Sequence, residues 1–156
     1  MRACLTLLLI LCAPSVVLAT EPSWGRAKLT ETEYKPQKVV YDVSVDTVKK
    51  VESVLDRASY LSTITGADPF DSSIVLVLHG AEIPFFAIKN TDKYHDLIQR
   101  AASLVGSDVL KIKMCKIAAE GKGLHPKDIH GFVEMIPMGD AEIIRLQNEE
   151  AHAYMR

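Results

Sequence analysis

The sequence predicts an α/β fold: a three-layer α/β/α sandwich on a mostly parallel sheet of about five strands. From residue 38 onward, segments typical of strands alternate with segments typical of helices, and this order implies right-handed crossovers between parallel strands. The segment Ser73–Leu78, SIVLVL, is a continuous apolar run, which is the pattern of a strand covered by helices on both faces. The chain of 156 residues is long enough for one domain with its own core.

The first half of this domain contains two predicted strands and one helix. Residues 38–45, KVVYDVSV, are rich in β-branched side chains and form the first predicted strand. Asp46 is the predicted N-cap of the following helix. The apolar stripe of that helix is Val48, Val51, Leu55 and Ala58. SIVLVL is the second strand, and residues 81–89 form either a short strand or a packed loop because Pro84 interrupts them.

The second half repeats the alternation. Asn90 or Thr91 is the predicted cap of a helix that ends near Gly106. Its buried stripe is Tyr94, Leu97, Ile98 and Ala101. Residues 109–114 form the next strand, which leads through Cys115 into a brief helix, and residues 131–137 form the last strand. Asp140 is the predicted N-cap of a final helix. The positions available for burial in that helix are Ile143, Ile144, Leu146 and Ala151.

The N-terminal residues 1–19 have the pattern of a secretory signal peptide. Arg2 supplies a positive charge, an apolar stretch follows, and the segment ends in Val17-Leu18-Ala19, which suits cleavage. Pro14 interrupts the apolar stretch, so a retained membrane anchor is the lesser alternative. We therefore predict a periplasmic protein with no membrane segment after cleavage. Residues 20–37 are predicted to be a polar arm, and residues 38–156 the folded domain.

The charge balance excludes one class of partner. The chain has 18 basic and 20 acidic residues, with both signs interspersed. A nucleic-acid-binding protein needs a basic face that displaces counterions from phosphates. We therefore expect no nucleic-acid partner.

Signal cleavage would leave a single cysteine. Cys4 and Cys12 lie in the predicted signal peptide, so Cys115 would remain unpaired in a compartment where disulfides form. Such a cysteine is either buried and inert, paired with another molecule, or retained for its reactivity. Because a free cysteine often behaves as a small hydrophobic residue, a packing role for Cys115 stays open.

Two reactive side chains follow predicted strands directly. His79 follows SIVLVL and Cys115 follows residues 109–114, and ligands of parallel sheets bind at the carboxyl ends of strands. Cys115 also precedes a helix and has Lys113 and Lys116 nearby, which should favour the thiolate. We take Cys115 and His79 as candidate catalytic residues, although His79 could equally cap a strand end. Gly80, Lys113 and Lys116 are candidate substrate-binding residues.

The sequence gives no metal or cofactor motif. His125, His130 and His152 are scattered and lack the paired spacing of a zinc site. A glycine-rich phosphate loop, a G-x-S-x-G elbow and a C-x-x-C pair are all missing. Glu134, within an otherwise apolar strand, is expected at the surface or at a subunit contact, with a position in the Cys115 pocket as the lesser alternative. We therefore predict no metal site and no cofactor.

Residues 38–156 resemble the DsrE/DsrF-like family. The resemblance rests on four segments: IVLVLHGAEIPFF, VLKIKMCKIAAEGKGL, DIHGFVEMIP with the loop before it, and MGDAEIIRLQ. It implies an α/β/α sandwich on a parallel sheet that assembles as a homo-oligomer. In the sulfur-relay members, the cysteine at the position of Cys115 accepts and passes on persulfide sulfur. This sequence is most similar to an exported branch of the family, to which cytoplasmic relay partners would not be accessible.

The leading hypothesis is a periplasmic sulfur-handling protein in which Cys115 accepts or relays sulfane sulfur, as a carrier or transferase. Its partner would be a sulfur donor or acceptor protein, or a small sulfur compound. The alternative is a non-catalytic, oligomeric module that binds a small ligand and in which Cys115 is structural. A third hypothesis is a redox sensor joined to another chain through Cys115.

Overall fold

The computed structural model describes residues 22–66, 68 and 70–156, so the predicted signal peptide lies outside the described residues. The described residues up to Thr32 belong to a unit separate from the domain Glu33–Arg156. In that N-terminal unit, the Gly25 amide donates to the Pro22 carbonyl and closes a turn (2.9 Å). No helix among the described residues has the length and apolar content that crossing a bilayer requires.

The domain is built on a five-stranded sheet in which every pair of strands is parallel. The strands are β1 Lys38–Val43, β2 Ser73–Leu78, β3 Lys111–Cys115, β4 Val133–Ile136 and β5 Ala153–Met155. Their order across the sheet is β4-β3-β2-β1-β5. This arrangement confirms the predicted α/β fold, and the sheet is wholly rather than mostly parallel.

Helices pack on both faces of the sheet and make three layers. They are α1 Val48–Ile64, α2 His95–Gly106, α3 Lys116–Glu120 and α4 Gly139–Glu150. Buried residues of α1 and α2 join the larger hydrophobic cluster, which includes Leu76, Ile112 and Met114 of the sheet. On the opposite face, α4 packs through Ile143 and Leu146. The strand residues in that smaller cluster are Val40, Val75, Val77 and Ile136.

The N-cap of α1 lies one residue after the predicted one. Thr47 has an extended backbone (φ −132°, ψ 150°), and its side chain accepts from the Lys50 amide. Asp46 instead accepts from Lys50 Nζ at 2.7 Å. The prediction of Asp46 as the cap is therefore wrong, because its carboxylate pairs with a lysine side chain rather than with the first-turn amides.

The segment after β2 contains no named strand. Ile83–Phe86 and Ile88–Asn90 form two short 3₁₀ helices, so the packed-loop alternative describes this region better than the strand. The predicted caps Asn90 and Thr91 are wrong, because α2 begins later, with Tyr94 at its N-cap position. Of the predicted buried stripe, Leu97, Ile98 and Ala101 are buried, whereas Tyr94 is only partly buried.

The C-terminal part differs most from the prediction. Met138 occupies the N-cap position of α4, so the predicted cap Asp140 instead lies in the first turn. Ala151, which we expected to be buried, is exposed and ends α4 with a φ of 59°; Ile144 is also exposed. The left-handed turn at Ala151 directs the chain into β5, which the sequence did not predict and which pairs with β1.

Candidate functional site

The register of the sheet places the two predicted catalytic residues side by side. Leu78 of β2 pairs with Met114 of β3, so the next residues, His79 and Cys115, lie at the same level of the carboxyl edge. Val77 belongs to the cluster beneath α4. Because side chains alternate between the faces of a strand, His79 and Cys115 also lie on the α4 side.

His79 and Cys115 line a common cleft of about 200 Å³, which we call the thiol cleft. Its other lining residues are Ile117, Ala118, Met138, Gly139 and Asp140. Cys115 is a free thiol and is 6% exposed. The cleft volume is several times the roughly 30 Å³ that one water occupies in the liquid. The thiol is therefore largely shielded but lies beside a space that a small reactant can enter.

Gly139, the first residue of α4, brings the start of this helix close to both side chains. A Cβ atom added to Gly139 would lie 3.3 Å from the Cβ of His79 and 3.4 Å from the Cβ of Cys115. The Cβ atoms of His79 and Cys115 are therefore no farther apart than the sum of these distances, about 6.7 Å. The Met138 side chain makes no capping hydrogen bond at this helix start. The thiol cleft thus lies under an uncapped helix N-terminus, where a negative charge is favoured.

A carboxylate on β1 orients the histidine. His79 Nε2 is hydrogen-bonded to Asp42 Oδ1, and the Tyr154 hydroxyl donates to Asp42 Oδ2 at 2.5 Å. Burial of Asp42 opposes its ionisation, but the hydrogen bonds from Tyr154 and His79 outweigh burial and hold the pKa of the carboxyl below its usual value. An ionised Asp42 accepts a hydrogen bond from Nε2–H, so a neutral imidazole carries its free lone pair on Nδ1.

Neither Asp42 nor Tyr154 was among the predicted site residues. Asp42 lies within the β-branched run of β1. An acidic residue in such a strand was the feature of the sequence that could have marked it as a site residue. Tyr154 reaches it because β5 pairs with β1, with Tyr154 opposite Val40. Since the sequence did not predict β5, it could not predict this hydrogen bond.

Gly80 has a structural role that its sequence position did not indicate. A Cβ atom on Gly80 would lie 2.6 Å from Ser44 Cα, so a larger residue does not fit without displacing the backbone. Its amide donates to Glu82 Oε1 (2.7 Å), and the Val45 amide donates to Glu82 Oε2 (2.8 Å). Glu82 is fully buried and was not predicted as a site residue. Its carboxylate fixes the loop after β1 to the loop after β2, close to His79.

The two predicted lysines bind carboxylates rather than the thiol cleft. Lys113 is largely buried and forms ion pairs with Glu142 (2.7 Å) and Glu134 (3.3 Å). Lys116 pairs with Glu120 (3.6 Å). Neither lysine lines the thiol cleft, so their contacts give no support to the expected stabilisation of the thiolate.

The other predicted positions have ordinary structural contacts. His130 is hydrogen-bonded to the Thr91 hydroxyl (3.0 Å). His152 is buried, with Nδ1 3.2 Å from the Leu146 carbonyl and Nε2 2.9 Å from the Ser73 hydroxyl. Burial lowers the pKa of His152. Within the described part of the chain, no three His, Cys, Asp or Glu side chains converge as a metal site would require.

Comparisons with known proteins show a similarity of fold only. No protein-family model and no curated protein matches the chain. The fold is similar to that of MTH1491, a protein of unknown function from Methanobacterium thermoautotrophicum. The two structures share 20% sequence identity with a TM-score of 0.62, and the match covers 77% of this chain and 98% of the other.

Proposed function

We propose that this protein handles sulfur and that Cys115 accepts or relays sulfane sulfur as a persulfide. The observation that carries the proposal is the shared cleft of Cys115 and His79, in which the imidazole is also bonded to Asp42. A thiol beside an oriented histidine is the arrangement that activates a sulfur nucleophile. Asp42 and Tyr154 are positioning residues, since they act on the thiol only through His79.

The transfer step balances without a cofactor. The Cys115 thiol loses its proton to His79 Nδ1, and the thiolate attacks the outer sulfur of a donor persulfide. A sulfur–sulfur bond forms at Cys115 while the donor's sulfur–sulfur bond breaks, and the departing donor thiolate takes up the proton from His79. The products are a Cys115 persulfide and a donor thiol, and the reverse sequence delivers the sulfur to an acceptor thiol.

The surroundings of Cys115 suit this step. The start of α4 lies against the cleft, where its first-turn amides are available as hydrogen-bond donors to a sulfur compound. Low exposure of Cys115 protects a persulfide on this residue from oxidation by solvent species. Exposed apolar side chains of Ile117 and Met138 border the cleft and provide a surface on which a partner could cover it.

Membership in the DsrE/DsrF-like family, export to the periplasm and homo-oligomer formation are parts of the same proposal. The five-stranded parallel sheet with Cys115 at its carboxyl edge supports the family assignment. The partner would be a donor or acceptor protein, or a small sulfur compound. Sedimentation equilibrium measures the oligomeric state, and N-terminal sequencing of the secreted chain tests cleavage after Ala19.

Loading with polysulfide followed by intact mass spectrometry tests the function. We expect the wild-type chain to gain the mass of whole sulfur atoms, removable by dithiothreitol, and Cys115→Ser to gain none at this position. Peptide mapping assigns the added sulfur to Cys115 or to another residue. Absence of added sulfur on Cys115 under native conditions would refute the proposal.

The second candidate is a non-catalytic module that binds a small ligand, and the low exposure of Cys115 favours it. In that case Cys115→Ser keeps both ligand binding and assembly, and the native thiol resists alkylation. The mass spectrometry above separates the two candidates, because a structural cysteine takes up no sulfur.

A further inference from the structure

The lining of the thiol cleft contains an acidic residue and no basic one. Among the described residues that line it, none is lysine or arginine, and Asp140 is acidic. Asp140 belongs to the first turn of α4 and is exposed to solvent. A sphere with the cleft volume of 200 Å³ is about 7 Å across. A reactant inside the cleft is therefore closer to Asp140 than the Debye length, which is about 10 Å in 0.1 M salt.

No cation neutralises this carboxylate. Within the part of the chain that the structure describes, the Asp140 side chain forms no ion pair and no hydrogen bond. The lysines nearest to Cys115 in sequence pair with other carboxylates, Lys113 with Glu142 and Lys116 with Glu120. The charge of Asp140 therefore acts on whatever enters the cleft.

His79 adds no net positive charge to offset Asp140. Its Nε2 is bonded to the Asp42 carboxylate, so a protonated imidazole is matched by that negative charge, and a neutral imidazole has no charge of its own. The remaining side chains of the lining are apolar, those of Ile117, Ala118 and Met138. In either protonation state of His79, the ionised groups at the cleft carry no net positive charge.

An anionic reactant meets two negative charges in this cleft. The attacking Cys115 is a thiolate, and Asp140 lies beside it in the same lining. The N-terminus of a helix attracts negative charge, but the Asp140 carboxylate in the first turn of α4 already offsets this attraction. Like charges at such separations repel each other, whereas an uncharged reactant pays no such cost.

We propose that the thiol cleft selects sulfane donors with an uncharged reacting end and that Asp140 discriminates against anionic donors. This inference rests on the proposed sulfur-carrier function and names its substrate class. The class comprises neutral persulfides, R–S–SH, and organic polysulfanes, whereas thiosulfate and inorganic polysulfide are anions and react more slowly. With R–S–SH, the Cys115 thiolate bonds to the outer sulfur, the donor's sulfur–sulfur bond breaks, and the departing R–S⁻ takes the proton from His79.

The test compares alkylation of the native chain by iodoacetate and by iodoacetamide, two reagents of similar size that differ by one negative charge. Both react with the same thiolate, so the ratio of their rates does not depend on the thiolate fraction. Mass spectrometry measures both rates at low ionic strength. Asp140→Asn should raise the ratio of the iodoacetate rate to the iodoacetamide rate about threefold or more, and Asp140→Glu, which keeps the charge, should retain the wild-type ratio.

Asp108→Asn is the matched control. Asp108 is exposed and precedes β3, whereas Cys115 ends this strand, so the control removes the same charge at the opposite edge of the sheet. Its ratio should equal that of the wild type. Added salt should raise the wild-type ratio more than the Asp140→Asn ratio, because it screens the Asp140 charge. This comparison tests the charge without depending on one substitution.

Sulfur uptake separates this inference from the function on which it rests. Relative to its iodoacetamide rate, Asp140→Asn should load polysulfide sulfur on Cys115 faster than the wild type does. Equal ratios in the wild type and Asp140→Asn, or an equal rise in Asp108→Asn, would overturn the charge selection. If Cys115 still takes up sulfur in that case, the carrier function stands. A shifted ratio without any sulfur uptake would instead contradict the carrier function and leave Asp140 as a charge filter of the cleft.

Discussion

His79 binds the Asp42 carboxylate through Nε2 and lines the cleft that contains Cys115. One imidazole therefore connects a carboxylate on β1 with a thiol at the end of β3. The three residues come from three adjacent strands and lie on the α4 face. The parallel register brings them together at the carboxyl edge, and no local sequence motif does so.

The first prediction concerns the reactivity of the thiol. His79→Gln should slow alkylation of native Cys115 by iodoacetamide about tenfold or more, because glutamine cannot accept the thiol proton. Asp42→Asn should also slow it, since an amide no longer fixes the imidazole tautomer. The alkylation rates are measured by mass spectrometry of samples quenched at successive times.

His95→Gln is the matched control for this experiment. His95 begins α2 and is bonded to its neighbour Asp96 rather than to any residue of the thiol cleft. Its substitution should leave the alkylation rate unchanged. An unaltered rate in His79→Gln would show that His79 does not activate the thiol.

The second prediction concerns access to the thiol through Gly139. Gly139→Ala places a methyl group about 3.3 to 3.4 Å from the Cβ atoms of His79 and Cys115. We expect slower alkylation and slower sulfur uptake, with a change of less than about 1 kcal/mol in the free energy of unfolding, because alanine also favours the helix. Gly106→Ala is the control, since nothing lies within 4 Å of the added methyl group there. Equal rates for the two variants would mean that the reagents approach Cys115 by another route.

The third prediction concerns the buried carboxylate of Glu82. Glu82→Gln replaces one acceptor oxygen by an amide nitrogen and leaves either the Gly80 or the Val45 amide without a partner. The free energy of unfolding should fall by about 1 to 3 kcal/mol. Urea denaturation measures the free energy of unfolding. The control is Glu52→Gln on α1, which should change this free energy by less than about 0.5 kcal/mol. A cost as small as that of the control would argue against Glu82 as the link between the two loops.

The fourth prediction concerns acid stability. The hydrogen bond from Arg145, opposed by burial and reinforced by Lys113, lowers the pKa of Glu142 from 4.5 to about 2. Since the folded pKa is depressed, this contribution is complete above the unfolded pKa and is lost as pH falls through the folded one. Stability should therefore decline between about pH 4.5 and pH 2. In Glu142→Gln, this part of the pH dependence should flatten.

At neutral pH the same variant should be less stable by about 2 kcal/mol, because Lys113 loses its closest carboxylate in a largely buried setting. Glu149→Gln is the control: Glu149 pairs with Arg145 at 3.7 Å but is mostly exposed, so its removal should cost less than about 0.5 kcal/mol. Chemical denaturation at several pH values gives both results. Identical pH profiles for Glu142→Gln and the wild type would contradict the assignment.

The fold was predicted well because the sequence patterns that indicate its strands and helices are local. The run SIVLVL marked a buried strand with the bounds that the structure shows, and the apolar stripe Val51, Leu55 and Ala58 marked the buried face of α1. Cap positions were less predictable. The side chains of Asp46 and Asp140 can both cap a helix. In the structure, however, the residues with extended backbone at the N-cap positions of α1 and α4 are Thr47 and Met138.

The candidate site was only partly predictable because it depends on contacts between distant segments. His79 and Cys115 could be found, since each directly follows a strand. Tyr154 reaches Asp42 across 112 positions, through a three-residue strand with little apolar pattern of its own. The positions of Lys113 and Lys116 next to Cys115 in sequence were misleading. Lys113 lies on the same face of β3 as Cys115 but pairs with Glu142 and Glu134, and Lys116, in α3, pairs with Glu120.

The most direct test of the sulfur-carrier proposal is the mass of the native chain after brief exposure to polysulfide. We expect a reductant-sensitive gain of whole sulfur atoms that peptide mapping assigns to Cys115, reduced in His79→Gln and lost in Cys115→Ser. A native chain whose Cys115 gains no sulfur, while the unfolded chain does, would contradict the proposal and leave Cys115 as a packed core residue.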